Sequence, residues 1–173
     1  TASNIIGALM IILDKPFEIG DWIEVGTTSE GSVEEFTFRS TRIRESENTV
    51  VSIPNSTIVN SVIINWSRLQ KRKISLDLLL DVTTSLKKIA DVQNEILIYL
   101  ENEPNILNDY IYVKLSEIRA DGLKLEVVCY TNLTTYLDYV DFKDKVNFKI
   151  MSILQNNKVS LTSRPQTLYV KND

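Results

Sequence analysis

The stretch RSTRIRESENTVVSIPNSTIVNSVIINWSR, residues 39–68, decides how the first half of the chain is read. It opens with Arg39, Arg42 and Arg44, each two or three places from the next. Thr49-Val50-Val51-Ser52-Ile53 follows and meets Pro54-Asn55-Ser56, and a second β-branched run from Ile58 to Trp66 closes the stretch. Val, Ile, Thr and Trp fit a pleated, half-buried surface, and Pro-Asn-Ser is turn chemistry. The pattern predicts short strands joined by tight turns, a small β-barrel or sandwich. By itself it carries no function.

Around this stretch, the chain of 173 residues is long enough for one or two small domains. Apolar content of 43% and charged content of 24% are those of an ordinary globular protein. The net charge of −4 is unevenly placed: residues 1–70 hold 5 Lys and Arg against 9 Asp and Glu, residues 71–173 hold 14 against 14. Neither half has the basic excess of a reader of nucleic-acid phosphates. With no histidine, His general bases, Ser-His-Asp and Cys-His systems and His-ligated metals are excluded. The single Cys129 excludes an intrachain disulfide and a Cys-rich zinc site. Nothing speaks for secretion, and Thr1 in place of Met leads us to expect a piece of a longer or processed chain.

Before the central stretch, Ile5 to Leu13 is a run of apolar or small residues, too short for the roughly 20 that span a bilayer. At helical spacing, Ser3, Asn4, Gly7 and Ala8 share one side with Ile11 at its foot, while Ile5, Leu9, Ile12 and Leu13 lie opposite. Small or polar pairs four apart let another backbone approach closely. A signal-like or buried core helix is the alternative reading. Pro16 biases Lys15 away from the helical region and should stop the helix there. Asp21–Val25 reads as a strand, residues 27–31 as a turn, and a long strand starts at Ser32 with Phe36 and Phe38 on one face. Ile43 falls out of that phase, so a bulge or bend is expected near Arg39–Arg42. Val62, Ile64 and Trp66 should share one face of a final strand.

Six segments in order resemble the small-conductance mechanosensitive channel family. They are Asp14-x-Pro16-Phe17, Gly20-Asp21-Trp22-Ile23, Gly31-Ser32-Val33-Glu34, Arg39-Ser40-Thr41-Arg42-Ile43-Arg44, Ile53-Pro54-Asn55 and Ile64-Asn65-Trp66-Ser67-Arg68. The resemblance implies that residues 1–15 end a pore-lining helix and that residues 16–70 form an Sm-like β-barrel domain. It further implies a homo-heptamer enclosing a vestibule with side portals beneath a pore. That pore would be held by transmembrane helices missing from this chain. Membrane tension on hypo-osmotic shock would open it to ions and small solutes. The localisation implied is the inner (plasma) membrane, with this part in the cytoplasm. The small face of Asn4, Gly7 and Ala8 would then meet the loop Pro54, Asn55 and Ser56 and couple helix to β-domain.

From Arg72 the pattern changes. Ile74, Leu76, Leu78, Leu80 and Val82 alternate as a half-buried strand, and Leu86, Ile89, Ala90, Gln93, Ile96, Leu97 and Leu100 follow helical spacing behind Thr84 or Ser85 as N-cap. Val113 and Leu115 begin a strand, Asp121-Gly122 turns a hairpin, and Leu123, Leu125, Val127 and Cys129 alternate after it. Thr135-x-x-Asp138 reads as a capping box for a helix facing inward through Tyr139, Phe142, Val146, Ile150 and Ile153. Pro165 precedes a last strand, residues 167–170. The order β-α-β-β-α-β over residues 71–173 is a ferredoxin-like, split βαβ arrangement, so the expected class is α+β.

No constellation carries chemistry. Asp77 and Asp81 share a strand face, where a two-carboxylate site competes with a solvated face. Glu34 and Glu35 are adjacent and point apart. Cys129 sits in the inward phase of its strand, where free Cys is usually a small hydrophobe. Arg39, Arg42 and Arg44 could read RNA from a small barrel. The negative first half favours instead salt bridges to Glu34, Glu35, Glu45 or Glu47 within or between subunits, which makes the three arginines candidate subunit contacts. The reading is therefore the cytoplasmic part of a channel: no enzyme, no cofactor, no metal and no nucleic acid. The alternative is a soluble Sm-like oligomeric scaffold or nucleic-acid-binding module.

Overall fold

Pro16 sets the first boundary of the structure. The computed structural model describes residues 2–27 and 29–162. Helix α1 (Ala2–Asp14) ends before it: the Lys15 N–H still donates to the Ile11 carbonyl at 2.9 Å, but Lys15 has φ 45° and the chain leaves the helix. The chain divides into two compact units after Leu69.

In the first unit, β1 (Trp22–Val25), β2 (Ser29–Phe36), β3 (Ser40–Arg44), β4 (Val50–Pro54) and β5 (Ile63–Asn65) form one antiparallel sheet in the order β4-β3-β2-β1-β5. Helix α2 (Asn55–Val59) lies between β4 and β5, and a 3₁₀ turn, Trp66–Arg68, ends the unit.

This sheet corrects the expected Sm-like barrel: among the described residues it is open, with β4 and β5 as its two edges. Closure needs β4 to pair with β5. The β-branched run expected as one strand from Ile58 to Trp66 instead begins in α2, leaving β5 three residues long. The Asn60 amide and Ser61 hydroxyl donate to the carbonyls of Ser56 and Thr57 at 2.6 and 2.7 Å, satisfying groups at the end of so short a helix. Ile58 is wholly buried. Burial of one large side chain, worth about 1.5–3 kcal/mol, outweighs the few tenths by which β-branching disfavours a helix.

Two further expectations shift. The strand expected from Ser32 starts at Ser29 and reverses sharply, because the Thr37 hydroxyl accepts from the Arg39 and Ser40 N–H groups and turns the chain into β3. The bulge expected near Arg39–Arg42 lies earlier, where the register slips between Val33 and Glu35 and leaves Glu34 as the extra residue. Ile11, Phe17, Ile23, Val25, Val33, Ile43, Ile53 and Ile58 make the core under α1.

The second unit runs β6 (Arg72–Leu80), α3 (Leu86–Asn102), β7 (Ile106–Arg119), β8 (Gly122–Thr131), α4 (Tyr136–Asn156). The sheet order β6-β8-β7 puts β8, antiparallel to both, between two strands joined through α3, a split βαβ unit. The strand expected at residues 167–170 lies outside the described residues.

Ser85 caps α3, its hydroxyl accepting from the Lys88 N–H at 3.5 Å. Thr135 is the N-cap of α4, but its side chain makes no capping bond, so the expected capping box does not form. β7 starts at Ile106, earlier than Val113, where its alternation becomes legible. Ile74, Leu80, Ile96, Leu100, Leu125, Val127, Ile150 and Leu154 fill the core, with Cys129 among them. Asp77 pairs with Lys124 at 3.3 Å, whereas Asp81 accepts from Thr83, so the two carboxylates serve separate local contacts.

Burial pushes the Cys129 thiol up to about 11, so thiolate is scarce near neutrality. The folded protein is expected to resist iodoacetamide at about pH 8 and to take one alkyl group per chain once denatured. Rapid labelling of the folded protein, followed by mass spectrometry, would show that β8 opens to solvent.

Candidate functional site

Helix α2 begins with a chemical deficit. Its N-cap is Pro54, whose side chain has no acceptor, so the first N–H groups of α2 need partners from elsewhere. The Asn55 N–H donates to the Arg39 carbonyl at 3.0 Å. The Ser56 N–H donates to Asn4 Oδ1, on α1, at 3.1 Å. Asn4 thus caps a helix other than its own.

Gly7, one turn further along α1, lies against the same peptide unit. A Cβ there would stand 2.9 Å from the carbonyl carbon and oxygen of Asn55 and 3.0 Å from the Ser56 nitrogen, closer than backbone atoms tolerate. Ala8 and Ile11 continue this buried side of α1.

Asn55 itself is fully buried. Its Oδ1 accepts from the Thr41 hydroxyl at 3.0 Å, and its amide donates to the Thr37 carbonyl at 2.9 Å. Thr41 is equally buried. The loop that α1 touches is therefore tied to β3 and to the β2–β3 turn by side-chain and main-chain bonds, each satisfying a group taken out of water.

A second clamp holds the other end of α1. The Arg68 guanidinium donates to the Lys15 carbonyl at 2.9 Å, and the Asn65 amide donates to the Pro16 carbonyl at 3.1 Å and to Asp21 Oδ2 at 2.7 Å. Asp21 Oδ2 also accepts from the Glu18 N–H at 3.0 Å. A cation on the last carbonyls of a helix is favourable both as a hydrogen bond and against the helix dipole.

Of the sequence-predicted residues, Asn4 and Gly7 meet Asn55 and Ser56; Ala8 is buried on the same side of α1, and Pro54 is the N-cap of α2. The three arginines do not join them. Arg42 lies 2.7 Å from Glu35, and Arg44 grips both oxygens of Glu34, at 2.7 and 3.0 Å, while also donating to Asn48. These pairs are about half exposed, so each is worth roughly 0–1 kcal/mol. The Arg39 carbonyl receives Asn55, and its guanidinium makes no ion pair among the described residues. Sequence reasoning missed Thr41, Asn65, Arg68 and Asp21 as parts of the seat. Only Asn65, a polar residue between Ile64 and Trp66, stands out in its segment; Thr41, Asp21 and Arg68 carry no local signal.

An open five-stranded sheet against which a short helix is seated, followed by a split βαβ unit, defines an α+β protein. Residues 1–68 match the family model described as "Mechanosensitive ion channel, beta-domain" and residues 74–161 match "Mechanosensitive ion channel MscS, C-terminal". The chain belongs to the mechanosensitive ion channel family.

It is 33% identical over 171 residues to the MscS family protein YhdY of Bacillus subtilis, covering 99% of this chain and 46% of that protein. It is 32% identical over 174 residues to the large-conductance mechanosensitive channel MscMJLR of Methanocaldococcus jannaschii, covering 99% and 48%. The cryo-EM structure of Arabidopsis thaliana MSL1 superposes with a TM-score of 0.87 at 25% identity, covering 94% of this chain and 59% of that one. The chain spans about half the length of the curated relatives it matches. Other similar proteins that carry a function in their names, MscMJ of Methanocaldococcus jannaschii and YnaI of Escherichia coli, are mechanosensitive channels.

Asn65→Ala leaves the Pro16 carbonyl and Asp21 without their shared donor in a partly buried site. The expected loss is about 1–3 kcal/mol of stability. It should be read as a lowered denaturant midpoint with an unchanged slope; an unchanged midpoint would mean that water replaces the amide without cost.

Proposed function

We propose that this chain is the part of a tension-gated channel that lies directly beneath the pore, with residues 1–15 ending the pore-lining helix, residues 16–70 forming the β-domain and residues 71–173 the α/β domain. In this reading the chain sits on the cytoplasmic side of the inner (plasma) membrane. It assembles as a homo-heptamer whose vestibule passes ions and small solutes when hypo-osmotic shock stretches the membrane. Family membership supports the reading, and the observation that carries it is α1.

One side of α1 is seated on the first unit, while Ile5, Ile6, Leu9, Met10, Ile12 and Leu13 on the rest of its surface are each at least half exposed. An apolar surface of this kind marks an interaction site. No described helix is long and apolar enough to cross a membrane, so α1 alone does not account for its own greasy face. Neighbouring copies and membrane helices outside this chain would cover it. The Asn4–Ser56 bond is worth only about 1 kcal/mol per subunit. In a ring whose subunits move together, it adds up to several kcal/mol of bias toward one state.

Two outcomes follow. Cross-linking of the native gene product in its membrane should stop at seven copies; a ladder ending elsewhere would refute the heptamer while leaving the family intact. Patch-clamp recording should find tension-activated current whose threshold or open-state decay shifts in Asn4→Ala and Gly7→Leu. A protein that reaches the membrane yet never opens under tension would sink the functional reading.

A further inference from the structure

Gly7 and Asn4 both address one peptide unit, the Asn55 carbonyl joined to the Ser56 N–H. From the sheet side that unit is tied through Asn55, which is fully buried and held at its N–H by the Arg39 carbonyl at 3.0 Å, at Oδ1 by the Thr41 hydroxyl at 3.0 Å, and at its amide by the Thr37 carbonyl at 2.9 Å. Of these partners the Arg39 and Thr37 carbonyls are backbone and cannot be removed by substitution. The Thr41 hydroxyl can.

Thr41 stands in β3 opposite Ile53 of β4, one residue before Pro54, and is itself wholly buried. A buried hydroxyl facing Ile53 is costly unless its bond is needed, because valine has nearly the same shape and would pack there without a partner. Among the described residues Thr41 makes no hydrogen bond to α1, and its side chain's one partner is the residue whose peptide α1 rests on.

We infer that Thr41 is a positioning residue for gating: its hydroxyl fixes the rotation of the Asn55 side chain, and through it the peptide that Asn4 caps and Gly7 abuts. The inference rests on the channel reading above. Loss of the hydroxyl leaves Asn55 Oδ1 without its donor and lets the side chain turn. The Ser56 N–H then no longer points at Asn4 in a single direction.

The test is patch-clamp recording of the native channel carrying Thr41→Val, Thr41→Ser, and Thr41→Val combined with Asn4→Ala. Thr41→Val should change the open-state decay time by about fivefold or more, the lower end of ordinary coupling between sites. Thr41→Ser keeps the hydroxyl and should behave as the unaltered channel. In the Asn4→Ala background Thr41→Val should add nothing, because the contact it positions is already gone; a merely structural role would add its effect independently.

If Thr41→Val does not reach the membrane, Thr41→Ala removes the hydroxyl without branching and is read on the same measures. Decay unchanged by loss of the hydroxyl, an equal change in Thr41→Ser, or additivity with Asn4→Ala each overturns the inference. An unaltered channel that gives no tension-activated current overturns the functional reading and this inference together. A normal current that ignores Thr41→Val overturns this one alone.

Discussion

The peptide between Asn55 and Ser56 is the constraint on which the first unit depends. It begins a helix whose N-cap, Pro54, has no side-chain acceptor, and it must present its N–H to something. Three elements converge to satisfy this one turn: β3 through Thr41, the β2–β3 turn through the carbonyls of Thr37 and Arg39, and α1 through Asn4. Because Asn55 has no exposed surface, water cannot stand in for its own partners, Thr41, Thr37 and Arg39. The position of α1 is therefore written into the sheet by hydrogen-bond satisfaction as much as by burial of Ile11.

That seat divides α1 into two chemistries. The buried side is small or polar at Asn4, Gly7 and Ala8, so backbones approach within contact distance at Gly7, and Ile11 enters the core beyond them. The rest is Ile, Leu and Met held out to solvent in a single chain. Polar contacts give a bond that forms or breaks as a unit, while the apolar face supplies non-directional attraction to whatever covers it. The far end is anchored differently, through Arg68 and Asn65 on the carbonyls of Lys15 and Pro16.

Several elements were legible in the residues alone because a local rule governs them. Pro16 ends α1, Ser85 caps α3 and the alternation from Ile74 to Leu80 makes β6, while the β7–β8 hairpin turns one residue before the expected Asp121-Gly122, at Ala120-Asp121, because Gly122 already pairs with Arg119. The inward set Phe142, Val146, Ile150 and Ile153 followed from helical spacing. The barrel did not survive, and the cause is local to residues 55–59. Thr57, Ile58 and Val59 favour strands by propensity, yet Ile58 reaches the core only if the chain coils there. The early turn at Thr37 was equally hidden, since a hydroxyl folding back on two N–H groups leaves no periodic trace.

The sequence by itself determined the class of residues that could do chemistry here. Without histidine and with a single cysteine, His-dependent nucleophile and metal sites and a Cys-rich zinc site were excluded by composition, and six ordered segments pointed to the channel family. It also determined which face of α1 is small, because helical spacing is fixed by backbone geometry. Tertiary structure alone decided that the sheet stays open, that Asn4 caps α2 rather than facing solvent, and that Thr41 and Asn65 belong to the seat. Such bonds join residues separated by 14 to 52 positions, and propensity and periodicity act only over neighbours. Which polar group meets which, once both have left water, is settled only when the whole unit closes.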